Sequence, residues 1–131
     1  MEYIIRDHDR EKFEARKALM EKAAAQVRAA HPTARVALTL TDSYYNMKEK
    51  LADCMHLVEN ANKAAGMAGL TPAAEAIRGG TDGARLSFMG LPCPNLGTGG
   101  YNFHGPLELA CAEEMDTVVD ILLHIVRLYA E

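Results

Sequence analysis

Little in this sequence would staple or anchor a fold. Its 131 residues include only three cysteines, Cys54, Cys93 and Cys111, and no two of them form a Cys-x-x-Cys pair. An odd, scattered set argues against a disulfide framework and against a thiolate zinc site. Reduced, buried thiols of a cytoplasmic protein are the simplest expectation. No apolar run approaches the ~20 residues of a bilayer span, and no charged-then-apolar leader opens the sequence. The basic residues do not cluster with aromatics, which excludes a nucleic-acid footprint. Fourteen lysines and arginines against eighteen aspartates and glutamates leave a net charge of −4. Low-complexity tracts are also missing, and 49% of the residues are apolar, so a folded domain with a real core is expected rather than disorder.

The periodicities that are present predict a mixed α/β chain. Residues 3–6 (Tyr-Ile-Ile-Arg) have strand composition. With so little sequence before it, such a strand must find its neighbour elsewhere in the chain or in another chain. Asp7 and Asp9 offer N-caps for a helix over 10–30, which buries Phe13, Met20, Ala24 and Val27 and pairs Arg10 with Glu14 and Lys17 with Glu21 on its wet face. His31-Pro32 ends that helix, because a residue before proline avoids the helical region. Val36, Leu38 and Leu40 then alternate with smaller or polar residues, as a half-buried strand requires.

A polar connector over 42–46 leads to a second helix over 48–65, closed by Gly66, Gly69 and Pro72. Beyond it the pattern predicts a short strand over 74–77, a short helix over 84–89, a strand over 93–96 and a last helix over 112–129 that buries Met115, Val118, Val119, Leu122, Ile125 and Val126. The order is β-α-β followed by α-β-α-β-α, with the change of composition at 42–46 dividing the chain into two units, 1–46 and 47–131.

Three places could carry chemistry. Arg78-Gly79-Gly80-Thr81-Asp82-Gly83 sits between an expected strand and a short helix. Glycines there let the backbone approach a ligand, exposed N–H groups can receive an anion, and Arg78 adds a planar fork suited to a carboxylate. The bland alternative is a tight turn with solvated charges. His104 lies in a glycine-flanked loop from which a neutral imidazole could bind zinc, or it is an ordinary surface histidine. Its i,i+4 neighbour Glu108 does not obviously share a face with it, because Pro106 intervenes. Asn46 stands at the junction of the two units, where ligand clefts form, or it caps the following helix. Asp7-His8-Asp9 reads as capping rather than as a metal cluster, since neighbours on an extended segment point to alternate sides.

Taken together, residues 3–7 (Tyr-Ile-Ile-Arg-Asp), 42–47 (Asp-Ser-Tyr-Tyr-Asn-Met), 77–83, 86–96 and 98–105 (Thr-Gly-Gly-Tyr-Asn-Phe-His-Gly) resemble the tripeptide aminopeptidases of the dizinc aminopeptidase and deacetylase family. The similarity runs through the chain, with several long strings in the same order. The resemblance implies that residues 1–46 form the second half of a ferredoxin-like lid, and that 47–131 form the C-terminal part of the catalytic zinc-peptidase domain. It implies two zinc ions sharing a water, a glutamate base, and release of the N-terminal residue of a tripeptide by the metal-activated water.

By the same resemblance His104 is the last zinc ligand, Arg78 holds the carboxylate or carbonyl end of the substrate, and Asn46 hydrogen-bonds it from the lid. Gly79, Gly80 and Thr81 line the cleft. The remaining ligands and the base belong to an N-terminal region outside this sequence, so the chain alone is expected to be inactive and to bind zinc incompletely. Gly97 stands where the family carries a bulkier residue, which would loosen packing by the cleft. Exposed strand edges add the expectation of a homo-oligomer, formed by strand exchange. The competing reading is a non-catalytic module that self-associates or binds a small anion.

Overall fold

A computed structural model describes residues 1–77 and 79–130. Its elements are helix α1 (Arg10–Ala30), a short helix α2 (Lys48–Leu51), a 3₁₀ turn (Ala52–Cys54), helix α3 (His56–Met67), helix α4 (Asp82–Phe88), strands β1 (Gly100–Tyr101) and β2 (Leu109–Ala110), and helix α5 (Ala112–Ala130). The strands pair antiparallel, Gly100 opposite Ala110 and Tyr101 opposite Leu109. Mixed helix and sheet is therefore the class, with helix dominating.

Helix α1 begins where the sequence places it. The Asp9 side chain accepts from the Lys12 N–H at 2.9 Å, satisfying one of the free donors of the first turn. Asp7 steadies that cap, accepting from the Asp9 N–H (3.0 Å) and the Arg16 Nε (2.8 Å). The covered face of α1 is Phe13, Lys17, Met20 and Ala24, while Val27 is exposed. Lys17 is on this face because it bonds Asp42 at 3.0 Å as well as Glu14, and Arg10 reaches Glu49 at 2.8 Å. The expected Arg10/Glu14 and Lys17/Glu21 pairs give way to these contacts, since a partner held by tertiary structure costs less side-chain entropy than a mobile helical neighbour.

The expected second helix is divided. Neither proline nor glycine marks the break at 52–55. Its two halves serve different neighbours, however: α2 packs on α4 and α3 packs on α5. Tertiary packing here overrides local propensity. Both α3 and α4 end on left-handed glycines, Gly69 (φ +83°) and Gly90 (φ +101°). In each, the next residue donates back into the last turn, Leu70 to Ala65 O and Leu91 to Leu86 O, both at 3.0 Å.

The core sits between α3 and α5. Ala64 and Ala65 present small side chains to Ile121, and Ala68, Ile125 and Leu128 complete the cluster. Alanines at 64, 65 and 68 let the helices approach closely, and Ile121, Ile125 and Leu128 follow the i, i+4, i+7 spacing of one helical face. Burying a side chain such as Ile121 contributes about 1.5–3 kcal/mol. Among the described residues, His124 Nδ1 is the buried side-chain nitrogen or oxygen without a hydrogen-bond partner.

The expected lid strands and the two expected catalytic-domain strands need correction. Among the described residues, 3–6, 36–41, 74–77 and 93–96 carry no strand. A ladder needs a second edge, and two of these segments bond to helices instead. Val36 O accepts from Arg28 Nε of α1 at 2.8 Å. Val36, Leu38 and Leu40 are still half-buried and the residues between them exposed, so the strand alternation survives without the strand. Residues 93–95 lean on α4, where the Cys93 N–H donates to Ser87 Oγ at 3.0 Å.

The chain leaves 10,395 Å² accessible. A compact monomer of its 14.3 kDa mass would expose about 6,800 Å². Much of the surplus is apolar: Met115, Val119, Leu122, Val126 and Tyr129 form a second stripe along α5, each about half exposed. No helix among the described residues is long and apolar enough to cross a membrane.

Candidate functional site

The connector before α2 and the glycine loop before α4 meet. A Cβ on Gly80 would fall 2.3 Å from Cζ of Tyr44, so the Tyr44 ring lies directly on the glycine backbone. Only glycine permits that approach. Thr81, the next residue, caps α4: its Oγ1 accepts from the Ala84 N–H at 3.2 Å and from Asn95 Nδ2 at 3.1 Å. Gly79 is open, with nothing near its Cβ position. Arg78 lies outside the described residues.

Asn46 is engaged on both sides of its amide. Nδ2 donates to the His8 carbonyl at 3.1 Å and Oδ1 accepts from the Lys48 N–H at 3.0 Å, at the start of α2. Asn46 thus ties the start of α1 to the start of α2, although the cap position of α2 is Met47. It lines an open hollow of about 390 Å³ with His8, Asp9, Arg10, Lys48 and Glu49.

Beside it a charged aromatic cluster joins α1 to α4. Phe13 meets Tyr45 edge-on at 5.9 Å, Tyr45 is 5.9 Å from Phe88, and the Arg10 guanidinium lies 4.1 Å above the Tyr45 ring. The Tyr45 hydroxyl donates to Asp42 Oδ2 at 2.6 Å. This bond and the Lys17 ammonium hold the Asp42 carboxyl below its ordinary range. In return, Asp42 raises both Tyr45 and Lys17. Sequence reading missed this cluster because its members are contributed by three separate segments.

His104 stands apart from these residues, on the loop between β1 and β2. It is exposed, and its backbone is left-handed (φ +64°), as is that of Asn102 (φ +54°). Its N–H donates to Glu108 Oε2 at 3.2 Å, and Asn102 Nδ2 donates to the Leu107 carbonyl at 3.2 Å. The base of the hairpin is fixed to α5, where the Tyr101 hydroxyl meets both carboxylate oxygens of Glu114 at 2.8 and 2.7 Å. Glu114 raises the Tyr101 hydroxyl above its ordinary range. The hairpin itself escaped sequence reading, because two-residue strands have no periodicity to detect. Gly97 faces open space, so a larger residue there would fill no gap in this structure.

As a metal donor His104 is a single exposed imidazole. Among the described residues no three histidine, cysteine, aspartate or glutamate side chains gather, whereas a catalytic zinc needs about three protein ligands. These residues fit one coordination position rather than a site.

No protein-family model matches the chain. Among curated proteins its similarity is to peptidases, and it extends from end to end. The relatives are named peptidase T: the protein of Alkaliphilus oremlandii is 50% identical over 129 residues, that of Clostridium novyi 52% over 131, and that of Aeromonas hydrophila 53% over 128. These alignments cover 98%, 100% and 98% of the chain but only 32%, 32% and 31% of the relatives, so the chain spans about a third of their length. By sequence the chain belongs with peptidase T and corresponds to a C-terminal part of it.

Proposed function

We propose that this chain is the part of a zinc-dependent tripeptidase that supplies one metal ligand and part of the substrate cleft. The observation that carries the reading is its similarity to peptidase T at 50–53% identity over essentially its whole length. His104 is the metal ligand, presented on a loop whose backbone is set by its own hairpin. Arg78 holds the carboxylate or carbonyl end of the peptide, Asn46 faces it from the lid, and Gly79, Gly80 and Thr81 line the cleft. The contact of Tyr44 with Gly80 supports this grouping, since it brings the lid connector onto the glycine loop. Residues 1–46 are the second half of the lid and 47–131 the end of the catalytic domain. When bound, the two zinc ions supply a polarised carbonyl and an activated water, and the N-terminal residue of a tripeptide is released. The compartment is the cytoplasm, where Cys54, Cys93 and Cys111 stay reduced.

Alone, the chain is inactive, because one imidazole cannot hold a catalytic zinc. The test compares it with a chimera in which it replaces the matching segment of the Clostridium novyi protein. The chimera is expected to bind zinc and to hydrolyse tripeptides, and the chain alone to do neither. Turnover with stoichiometric zinc in the isolated chain refutes the inactivity, and a silent chimera refutes the parentage.

A second reading rests on the exposed stripe of α5. That stripe favours self-association, with the strand-like segments 3–5 and 36–41, which carry no strand, offering exchange between copies, without catalysis by the chain itself.

A further inference from the structure

We infer that Glu108 is a positioning residue that locks the left-handed backbone of His104 and so fixes where its imidazole points. The inference rests on the reading of His104 as a metal ligand for its purpose, but not for its geometry. Left-handed backbone is unfavourable for any residue with a Cβ, and a glycine, Gly105, adjoins His104. Yet Gly105 is not where the chain turns left-handed; Asn102 and His104 are. Gly105 serves close approach instead, since a Cβ on it would lie 3.1 Å from the Asn102 carbonyl, which accepts the Gly105 N–H. The strain has therefore been placed on the histidine, and something must hold it there.

Three contacts do so. The Phe103 ring lies on Gly100, where an added Cβ would be 2.6 Å from it, and this fixes the residue before the histidine. Asn102 Nδ2 closes the loop onto the Leu107 carbonyl, and the Glu108 N–H donates to the Gly105 carbonyl at 3.1 Å. A fourth contact reaches His104 directly: the Glu108 carboxylate accepts the His104 N–H. The i,i+4 relation of the two residues works through a side chain on a backbone, not through a shared helical face.

This arrangement uses Glu108 as an anchor for the ligand, in the way outer partners orient metal-bound imidazoles, though here it acts on the main chain. A side-chain acceptor is all the role requires. Glutamine keeps that acceptor and alanine removes it.

The first arm is nuclear magnetic resonance on the 131-residue chain without metal, reading amide exchange at His104 and the short amide-to-Hα distance that marks a left-handed residue. Glu108→Ala is expected to speed exchange of the His104 amide about tenfold and to lose the short distance, while Glu108→Gln keeps both. An alanine variant that keeps both overturns the proposal, and so does a glutamine variant as loose as alanine. The second arm measures zinc affinity of the Clostridium novyi chimera by chelator competition. Glu108→Ala is expected to weaken zinc about 10–100-fold, with Glu108→Gln near the parent. If His104→Ala leaves zinc binding intact, the ligand reading falls and the first arm alone decides Glu108. If His104→Ala abolishes zinc binding and Glu108→Ala does not weaken it, the positioning role is overturned.

Discussion

Gly83 lies inside α4, where alanine would ordinarily be the better residue. Replacing glycine by alanine within a helix is favourable by about 1 kcal/mol. At Gly83 the tertiary structure reverses that sign. A Cβ would fall 2.5 Å from the Cys93 carbonyl oxygen and 2.8 Å from Asn95 Oδ1. Even a close carbon–oxygen contact needs about 3.3 Å, so the 93–95 segment must retreat by roughly 0.8 Å. That retreat stretches two hydrogen bonds, Cys93 N–H to Ser87 Oγ at 3.0 Å and Asn95 Nδ2 to Thr81 Oγ1 at 3.1 Å.

Each such bond contributes about 0.5–1.5 kcal/mol, and crowding adds about 1–3 kcal/mol. Against the helix gain, Gly83→Ala is expected to destabilise by about 1–3 kcal/mol. Gly66 in α3 is the control, for nothing lies within 4 Å of its Cβ position. There Gly66→Ala should stabilise by about 0.5–1 kcal/mol. Chemical denaturation followed by circular dichroism measures both. If Gly83→Ala stabilises as Gly66→Ala does, the packing of 93–95 on α4, and with it the support of the Thr81 cap, is wrong.

Acid and base should each loosen the α1 junction. Asp42 is held below its ordinary 3.8, first by the Tyr45 hydroxyl and then by Lys17, so its contribution is present above the usual carboxylate range and lost as pH falls below about 4. Lys17 and Tyr45 are raised, mainly by Asp42, so theirs is present at neutral pH and lost as pH rises beyond about 10. In denaturation midpoints against pH, Tyr45→Phe should move the acid limb to higher pH, and a profile superimposable on the parent would refute the triad. Along α5, Val119→Lys or Val126→Lys should weaken self-association roughly tenfold, about 1.4 kcal/mol, with little loss of monomer stability, because both side chains are more than half exposed (53% and 66%). Sedimentation velocity reads this, and a parent that is monomeric at high concentration removes the idea.

Local signals in the sequence determined the ends of α1 and the close of α3. Asp9 before a periodic run, His31-Pro32 after it, and Gly69 behind α3 act through neighbouring backbone groups, so a linear reading finds them. The apolar repeat of α5 was equally visible. So was the membership in a peptidase family, carried by strings such as 98–105. The expected buried face of α5 needs correction, for Met115, Val119, Leu122 and Val126 are exposed while Val118, Ile121, Ile125 and Leu128 are covered; both stripes have helical spacing, so periodicity alone does not separate them. Packing on Ala64 and Ala65 decided it for Ile121 and Ile125.

Nor could alternation turn 36–41 into a strand, since alternation describes side chains while a strand needs a second edge. Asn46 illustrates the same division. Its bond to the Lys48 N–H is local to the helix it precedes, but its bond to His8 depends on a residue 38 positions away. At His104 the sequence supplied an imidazole in a glycine-flanked loop. Only the fold decided that the histidine, and not its glycine neighbour, takes the left-handed backbone, with Glu108 close enough to hold it there.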